Sequence, residues 1–287
     1  MKNNIIFNKS KHLNIKGLLY SLETPKVMGI LNITDDSFYD GGKYNKIDNW
    51  LRRADEMIIE GADFIDIGAQ SSRPGAKELG FDEELKVLLP AVKSIRQNFP
   101  SAILSVDTWQ SKVAEKIIDE GVDIINDISG GTFDNNMFNV VVKYQVPYII
   151  MHTQGKPIVM QNNINYNDIV QDIIFFLSAQ INKLNKLGLS DIIIDPGFGF
   201  AKTLEQNYQI LNSLEHFLFL EAPILVGISR KSMIYKVLDT SAEKALAGTI
   251  ALNTIALQKG ADILRVHDVK EAKDSVNLFL KLKSVIK

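Results

Sequence analysis

IIIDPGFGFAKT, residues 192–203, runs from an apolar stretch into Asp195, then through Pro196, Gly197, Phe198, Gly199 and Phe200 into a polar segment. A short isoleucine run bounded by Pro and Gly reads as a buried strand. A carboxylate at the carboxyl end of such a strand is costly to bury without partners. Asp195 therefore either faces a polar site or caps the turn that follows it. The rest of the chain decides between these, because the same construction recurs.

Working outward, eight apolar segments end in polar or Gly residues: VMGILN (27–32), DFIDIG (63–68), AILSVDT (102–108), DIINDISG (123–130), YIIMHT (148–153), DIIIDPG (191–197), ILVGIS (224–229) and ADILRVHD (261–268). Helical periodicity fills much of the space between them. It covers Trp50–Ile59 (Leu51, Ala54, Met57 and Ile58 on one face), Phe81–Ile95 (Leu85, Leu88, Leu89, Val92), Val113–Ile118, Ile169–Leu187, Leu204–Leu214 and Ala245–Leu257. A last helix runs from about Ala272 to Val285. Gly61-Ala62-Asp63, Gly121-Val122-Asp123 and Gly260-Ala261-Asp262 each read as a helix stop followed directly by a strand.

Alternation of strands and helices predicts parallel pairing with right-handed crossovers. Eight such units predict an α/β fold, a single (β/α)₈ TIM barrel spanning residues 26–287. An open doubly wound sheet would carry a Gly-rich phosphate turn after its first strand, and none follows Val27 to Asn32. Residues 1–25 read as a short N-terminal extension packing on the barrel, with patches at Ile5–Phe7 and Leu18–Tyr20 that can pair as a hairpin.

Composition narrows the class. The length of 287 residues with 46% hydrophobic residues supports a large core in one or two domains. A formal net charge of −2 provides no basic excess for nucleic acid. The absence of cysteine excludes disulfides and thiolate metal sites and suits a reducing compartment. The N-terminus lacks the apolar core of a signal peptide, and no apolar run approaches the ~20 residues of a membrane span. The expectation is a soluble cytoplasmic protein without nucleic-acid or membrane partners.

Polar residues gather at the strand ends: Asn32, Asp66, Asp107, Asn126, His152, Asp195, Ser229 to Ser232, and Arg265 with His267. Each has a bland reading alone. Asn32 and Asp107 can be turn residues, Asp66 a cap, and His152 a satisfied core histidine. In a barrel these ends converge on the face where active sites are built, so jointly they predict a site. Asp107, Asn126 and Asp195 supply acceptors with one amide donor group, which suits a flat heterocycle bearing amino and ring N–H donors. Arg73, Lys231, Arg265 and potentially His267 suit an anion. The expected cavity has carboxylates at one end and cations at the other. Asn32 with the loop TDDSFYDGG (34–42) can hold a hard cation through oxygen. The loop QSSRPGA (70–76) can close over a substrate. Ser229-Arg230-Lys231-Ser232 could present a nucleophile beside a base, but no G-x-S-x-G elbow accompanies it.

The stretches VMGILNITDDSFYDGG, DIGAQSSRPGA, SVDT, INDISGG, MHTQGKP, DPGFGFAKTLEQN, GISRKS and ILRVHDV span Val27 to Val269. In order and spacing they resemble the dihydropteroate synthase family of folate biosynthesis, the target of sulfonamides. The resemblance implies a TIM barrel that condenses a dihydropterin methyl diphosphate with 4-aminobenzoate. Position by position, it implies that Asp107, Asn126, Asp195 and Lys231 hold the pterin. Asn32, Arg265 and His267 would bind the diphosphate, with Mg²⁺ near Asn32. Asp36 and the pair Ser72 and Arg73 would sit on two mobile loops, and Phe200 and Ser232 near the 4-aminobenzoate pocket. The Ser232 side would also offer a helix N-terminus to the 4-aminobenzoate carboxylate. A homodimer is implied as well. Departures are small: Asp35 stands for the usual Pro, and Ala69, Gln70 and Ser72 for Gly, Glu and Thr, while Lys156 replaces a smaller residue. Rival readings are a pterin-barrel methyltransferase, a non-catalytic pterin-binding paralogue, and an aldolase using Lys231 covalently.

Overall fold

The computed structural model describes residues 11–33, 43–69, 78–158, 160 and 164–285. A two-stranded hairpin comes first, β1 (His12–Ile15) and β2 (Leu18–Ser21), joined by Lys16 and Gly17 at positive φ. Leu18–Tyr20 is thus a strand as expected. Its partner is His12–Ile15, and Ile5–Phe7 lies outside the described residues.

The barrel strands are β3 (Lys26–Asn32), β4 (Phe64–Gly68), β5 (Leu104–Asp107), β6 (Ile124–Asp127), β7 (Tyr148–Met151), β8 (Ile192–Asp195), β9 (Leu225–Val226) and β10 (Ile263–Val266). All neighbours are parallel, in the order β8-β7-β6-β5-β4-β3-β10-β9. A parallel bridge between Ile194 and Ile224 joins the two ends, and Ile194 N–H donates to the Pro223 carbonyl at 2.9 Å. All eight barrel strands expected from the sequence are present, in a (β/α)₈ barrel.

The helices are α1 (Lys43–Glu60), α2 (Phe81–Asn98), α3 (Ser111–Asp119), α4 (Met137–Tyr144), α5 (Ile169–Leu187), α6 (Leu204–Asn212), α7 (Ser232–Tyr235), α8 (Leu246–Gln258) and α9 (Val269–Ser284). Asp168 caps α5 by accepting from the N–H groups of Val170 and Gln171, and Thr203 with Gln206 forms a capping box on α6. Two details differ from the periodicity. α1 buries Trp50, Ala54 and Met57, leaving Ile58 exposed. α4 is absent from the expected helices; it carries Val140, Val141 and Val142 in a row, a β-branched run of low helix preference, and Met137, Val140 and Val141 pack inward.

Side chains alternate across each strand. One set (Val27, Ile65, Leu104, Ile125, Ile150, Ile194, Val226, Leu264) packs against the helices. The other faces the barrel axis. Its lower layer is apolar: Met28, Phe64, Ile124, Ile149, Ile193, Leu225 and Ile263, closed from below by Leu13 and Ile15 of the hairpin and by Leu22. Asn14 N–H donates to Asp191 at 2.8 Å, and Lys16 pairs with Asp123 at 2.6 Å, tying the hairpin to this floor.

The Gly-x-Asp repeats fix the lower rim. Asp63 accepts from the Val27 N–H at 2.9 Å, Asp123 from Leu104 at 2.8 Å and Asp262 from Ile224 at 2.6 Å. Each acid therefore satisfies the backbone at the start of the strand beside its own, a group that would otherwise be buried without a partner. Among the described residues the floor is apolar and its rim stitched, which leaves the opposite, C-terminal mouth as the polar end of the barrel.

Candidate active site

Two residues above the apolar floor, the same inward periodicity gives a polar layer: Asp66 on β4, Ser105 on β5, Asn126 on β6, Asp195 on β8 and Arg265 on β10. Asp66 is its centre. Its carboxylate accepts from Ser105 Oγ at 2.6 Å, Asn126 Nδ2 at 3.0 Å and Arg265 Nε at 2.7 Å. Arg265 Nη2 also donates to Asp107 at 3.2 Å. Its Nη1 has no hydrogen-bond partner among the described residues. The expected separation of carboxylates from cations is corrected here, because Arg265 stands between two acids. A buried charge needs such pairing, which Asp66 and Asp107 give directly while Asp195 adds its field.

Strand register adds a second row at the mouth. Asn32 pairs with Gly68, Gly68 with Asp107, and Asp107 with Asn126. A Cβ on Gly68 would sit 3.7 Å from Asp107 Cβ and 3.9 Å from Asn32 Oδ1. Asn32 is exposed and offers its amide to the mouth, while Asp107, Asn126 and Asp195 are buried. Burial pushes Asp107 up to about 7 against the opposing pull of Arg265, and burial likewise raises Asp195 despite Lys231. Among the described residues each acid has one protein donor, Arg265 for Asp107 and the Gly197 N–H for Asp195, and a ligand rich in N–H groups would supply more.

Beyond β8 the turn Pro196–Lys202 forms one wall. Gly197 N–H donates to Asp195 at 2.7 Å. Gly197 has φ +76°, and a Cβ there would overlap the His152 carbonyl oxygen, so only glycine fits. Lys231 crosses from the next loop to donate to the Phe198 carbonyl at 2.5 Å, with its ammonium 4.7 Å from the centre of the Phe200 ring. Burial pulls Lys231 down to about 8, opposed by Asp195. Phe200 belongs to an apolar cluster with Trp109, Ile128, Met151, Met160 and Ala201. This gives the mouth one greasy side beside its polar centre.

His267 follows β10. Ser229 Oγ accepts the His267 backbone N–H at 3.2 Å, which leaves its own proton for His267 Nδ1 at 3.1 Å and the ring hydrogen on Nε2. Ser229 thus orients a histidine and is not a nucleophile. Burial first, then Arg265, pulls His267 down to about 4, so it is neutral and not the cation suggested by its sequence position. Arg230 is likewise engaged, donating to Asp268 through Nε and Nη2 at 2.8 and 2.7 Å. Ser232 opens α7, which is a single turn, so the expected helix N-terminus for an anion has little dipole behind it. His152 keeps its bland reading: it is buried and packs edge-on against Phe176.

The structure therefore brings Asp107, Asn126, Asp195, Lys231, Arg265 and His267 to one mouth, with Asn32, Phe200 and Ser232 at its edge. Asp36, Ser72 and Arg73 lie outside the described residues. Sequence reading left two residues without a role. Asp66 stands two positions before Gly68 in β4, and period-2 counting marks it as inward. Lys202 sits in a Gly-rich turn where nothing signals burial, yet it is among the buried residues.

Residues 28–267 match the family model described as pterin binding enzyme. The dihydropteroate synthase of Clostridium beijerinckii is 43% identical over 265 residues, covering 91% of this chain and 93% of the relative. Among solved structures, a Yersinia pestis dihydropteroate synthase in a sulfonamide drug complex superposes with a TM-score of 0.89 at 39% identity, covering 96% of this chain and all of the other (100%). Xanthomonas albilineans dihydropteroate synthase with 4-aminobenzoic acid gives a TM-score of 0.89 at 33% identity, with 96% and 99% covered.

Proposed function

The chain belongs to the family of pterin-binding enzymes, and on that premise we infer that its barrel mouth runs the dihydropteroate synthase reaction. (7,8-Dihydropterin-6-yl)methyl diphosphate condenses with 4-aminobenzoate to give 7,8-dihydropteroate and diphosphate, a step of folate synthesis. The relatives named above are synthases, which sets aside the methyltransferase and non-catalytic readings. One observation carries the substrate assignment: two buried carboxylates, both raised by burial, and an amide share an interior with Lys231 and Arg265.

The geometry supports the following roles. Asp107 and Asp195 accept the pterin's amino and ring N–H groups, Asn126 complements them, and Lys231 donates at the carbonyl edge. Accepting those hydrogen bonds also steadies the electron-poor ring as the bond to diphosphate breaks at the exocyclic methylene. Arg265, held by Asp66, offers its remaining N–H groups to the leaving diphosphate, and His267 adds its Nε2–H. The arylamine attacks as the neutral amine and needs no general base beforehand; Phe200 and Ser232 border its pocket. For Asp36, Ser72 and Arg73, outside the described residues, the proposed part in catalysis rests on the family resemblance alone.

Among the described residues no group of three His, Cys, Asp or Glu side chains could hold a metal. The single Asn32 oxygen fits Mg²⁺, which keeps waters and substrate phosphate oxygens as its other ligands. Bound there, Mg²⁺ would neutralise charge developing on the diphosphate.

We also propose a homodimer. α8 (LAGTIALNTIALQ) is apolar around most of its circumference, and Val237, Leu238 and Ile255 are exposed near it, a pattern that a second copy would cover. No helix among the described residues is long and apolar enough to cross a membrane, and the absence of cysteine supports a cytoplasmic setting. The substrate assignment is tested by Asp195→Asn, which should weaken pterin binding at least tenfold in a direct titration. Unchanged affinity would remove Asp195 from the ring site.

A further inference from the structure

Lys202 is 4% exposed, and its ammonium has no carboxylate within salt-bridge distance among the described residues. Its three donors instead match three acceptors. Nζ lies 2.8 Å from the Phe200 carbonyl, 3.1 Å from the His152 carbonyl and 3.3 Å from His152 Nδ1. The ring nitrogen facing an ammonium must be an acceptor, and burial with the adjacent Lys202 charge pulls His152 down to about 3, which keeps it neutral. The carbonyls belong to different segments: His152 follows β7, and Phe200 lies in the turn after β8. Burial pulls Lys202 down to about 7, opposed by Asp195, so the buried charge is costly and the two carbonyls and the ring nitrogen are what its protonated form requires.

What the cage fastens is the wall of the site. The turn it grips carries Gly197, whose N–H holds Asp195, Phe198, whose carbonyl receives Lys231, and Phe200, whose ring lies beneath the Lys231 ammonium. We propose that Lys202 is a positioning residue that pins the β8 turn to the end of β7 and so sets the Phe200 side of the mouth. This rests on the functional reading above, in which that side receives 4-aminobenzoate. Lys202 touches no substrate and acts through Phe200 and its neighbours. Its charge also lies near enough to Asp195 to favour that residue's ionised form, an effect smaller than those of Lys231 and the Gly197 N–H.

The test compares full-length wild type with Lys202→Met, Lys202→Gln and Lys202→Arg. Steady-state KM and kcat are measured for each substrate, and Trp109 emission is recorded in a Trp50→Phe background. Trp109 shares the apolar cluster of Phe200, so its emission reports the wall without requiring turnover. Lys202→Met should raise KM for 4-aminobenzoate at least tenfold, with KM for the diphosphate substrate within threefold, and should red-shift Trp109. Lys202→Arg, which keeps the charge and some donors, should recover most of the arylamine KM. If Lys202→Met does not fold, the order wild type, Arg, Gln in rising arylamine KM decides the matter.

Folded variants with unchanged emission and both KM values within twofold would overturn the proposal. So would equal rises in both KM values, which denote general loosening. Wild type without dihydropteroate formation would sink the functional reading instead, and the Trp109 shift would still decide whether Lys202 holds the wall.

Discussion

Arg265 Nε donates to Asp66 Oδ2 at 2.7 Å, joining two side chains 199 residues apart in sequence and on either side of β3 in the barrel. The pair fixes the guanidinium in the polar layer and leaves Nη1 for an anion. Breaking a buried pair from one side typically costs 3–5 kcal/mol. Asp66→Asn should therefore lower unfolding stability by about 3 kcal/mol and reduce kcat/KM for the diphosphate substrate by more than tenfold. Urea unfolding and steady-state kinetics check both. A stable Asp66→Asn enzyme with native kcat/KM would show that Arg265 needs no such support.

Burial raises Asp107 from 3.8 to about 7, which gives a pH signature. A raised carboxylate favours the folded free protein most fully below the unfolded value near 4, and that contribution disappears as pH rises through about 7. The ionised acid is the form that accepts ring N–H groups. Pterin affinity should consequently rise between pH 5.5 and 7.5, approaching tenfold per unit at the acid end, and level off above. Titration of a pterin analogue across this range reads it directly. Asp107→Asn should flatten the profile as well as lower it.

His267 is held near 4 in the free protein by burial and by Arg265. A bound diphosphate adds negative charge beside it and must raise that value. Binding of the diphosphate substrate between pH 5 and 6.5 should take up a fraction of a proton. Calorimetry in two buffers of different ionisation enthalpy measures the uptake. No uptake, or uptake that persists in His267→Asn, would contradict this assignment.

The lower rim should govern stability rather than catalysis. Asp123 accepts from the Leu104 N–H at 2.8 Å and from Arg96 at 2.5 Å, and pairs with Lys16 at 2.6 Å, all far from the mouth. Asp123→Ala should cost about 3 kcal/mol of stability while leaving both KM values within twofold at 20 °C. A folded variant with altered KM would show that the floor and the mouth are coupled.

Sequence pattern was sufficient for the barrel because each strand is largely buried on both faces and reads as a mainly apolar run that turns polar toward its carboxyl end. It was also sufficient for the convergence of Asp107, Asn126, Asp195 and Arg265, since strand ends of a closed barrel meet at one mouth. Pairing across the barrel was not legible. Nothing local to Arg265 says that Asp66 claims it, and the supposed division of charges fails for that reason. Lys202 was invisible because two of its three partners are backbone carbonyls, which carry no sequence signature, and the third is a histidine 50 residues away. The valine run of α4 hid a helix because tertiary packing outweighed local preference. His267 reads as a cation beside Arg265 until burial is known.

The central claim is that carboxylates and cations in one barrel mouth join a pterin methyl group to an arylamine. The most direct measurement supplies the dihydropterin methyl diphosphate with and without 4-aminobenzoate, in the presence of Mg²⁺, and follows both diphosphate release and 7,8-dihydropteroate. The account predicts equimolar products that require 4-aminobenzoate and are suppressed competitively by a sulfonamide. Diphosphate release at the same rate without the arylamine, or no dihydropteroate with both substrates present, would contradict it.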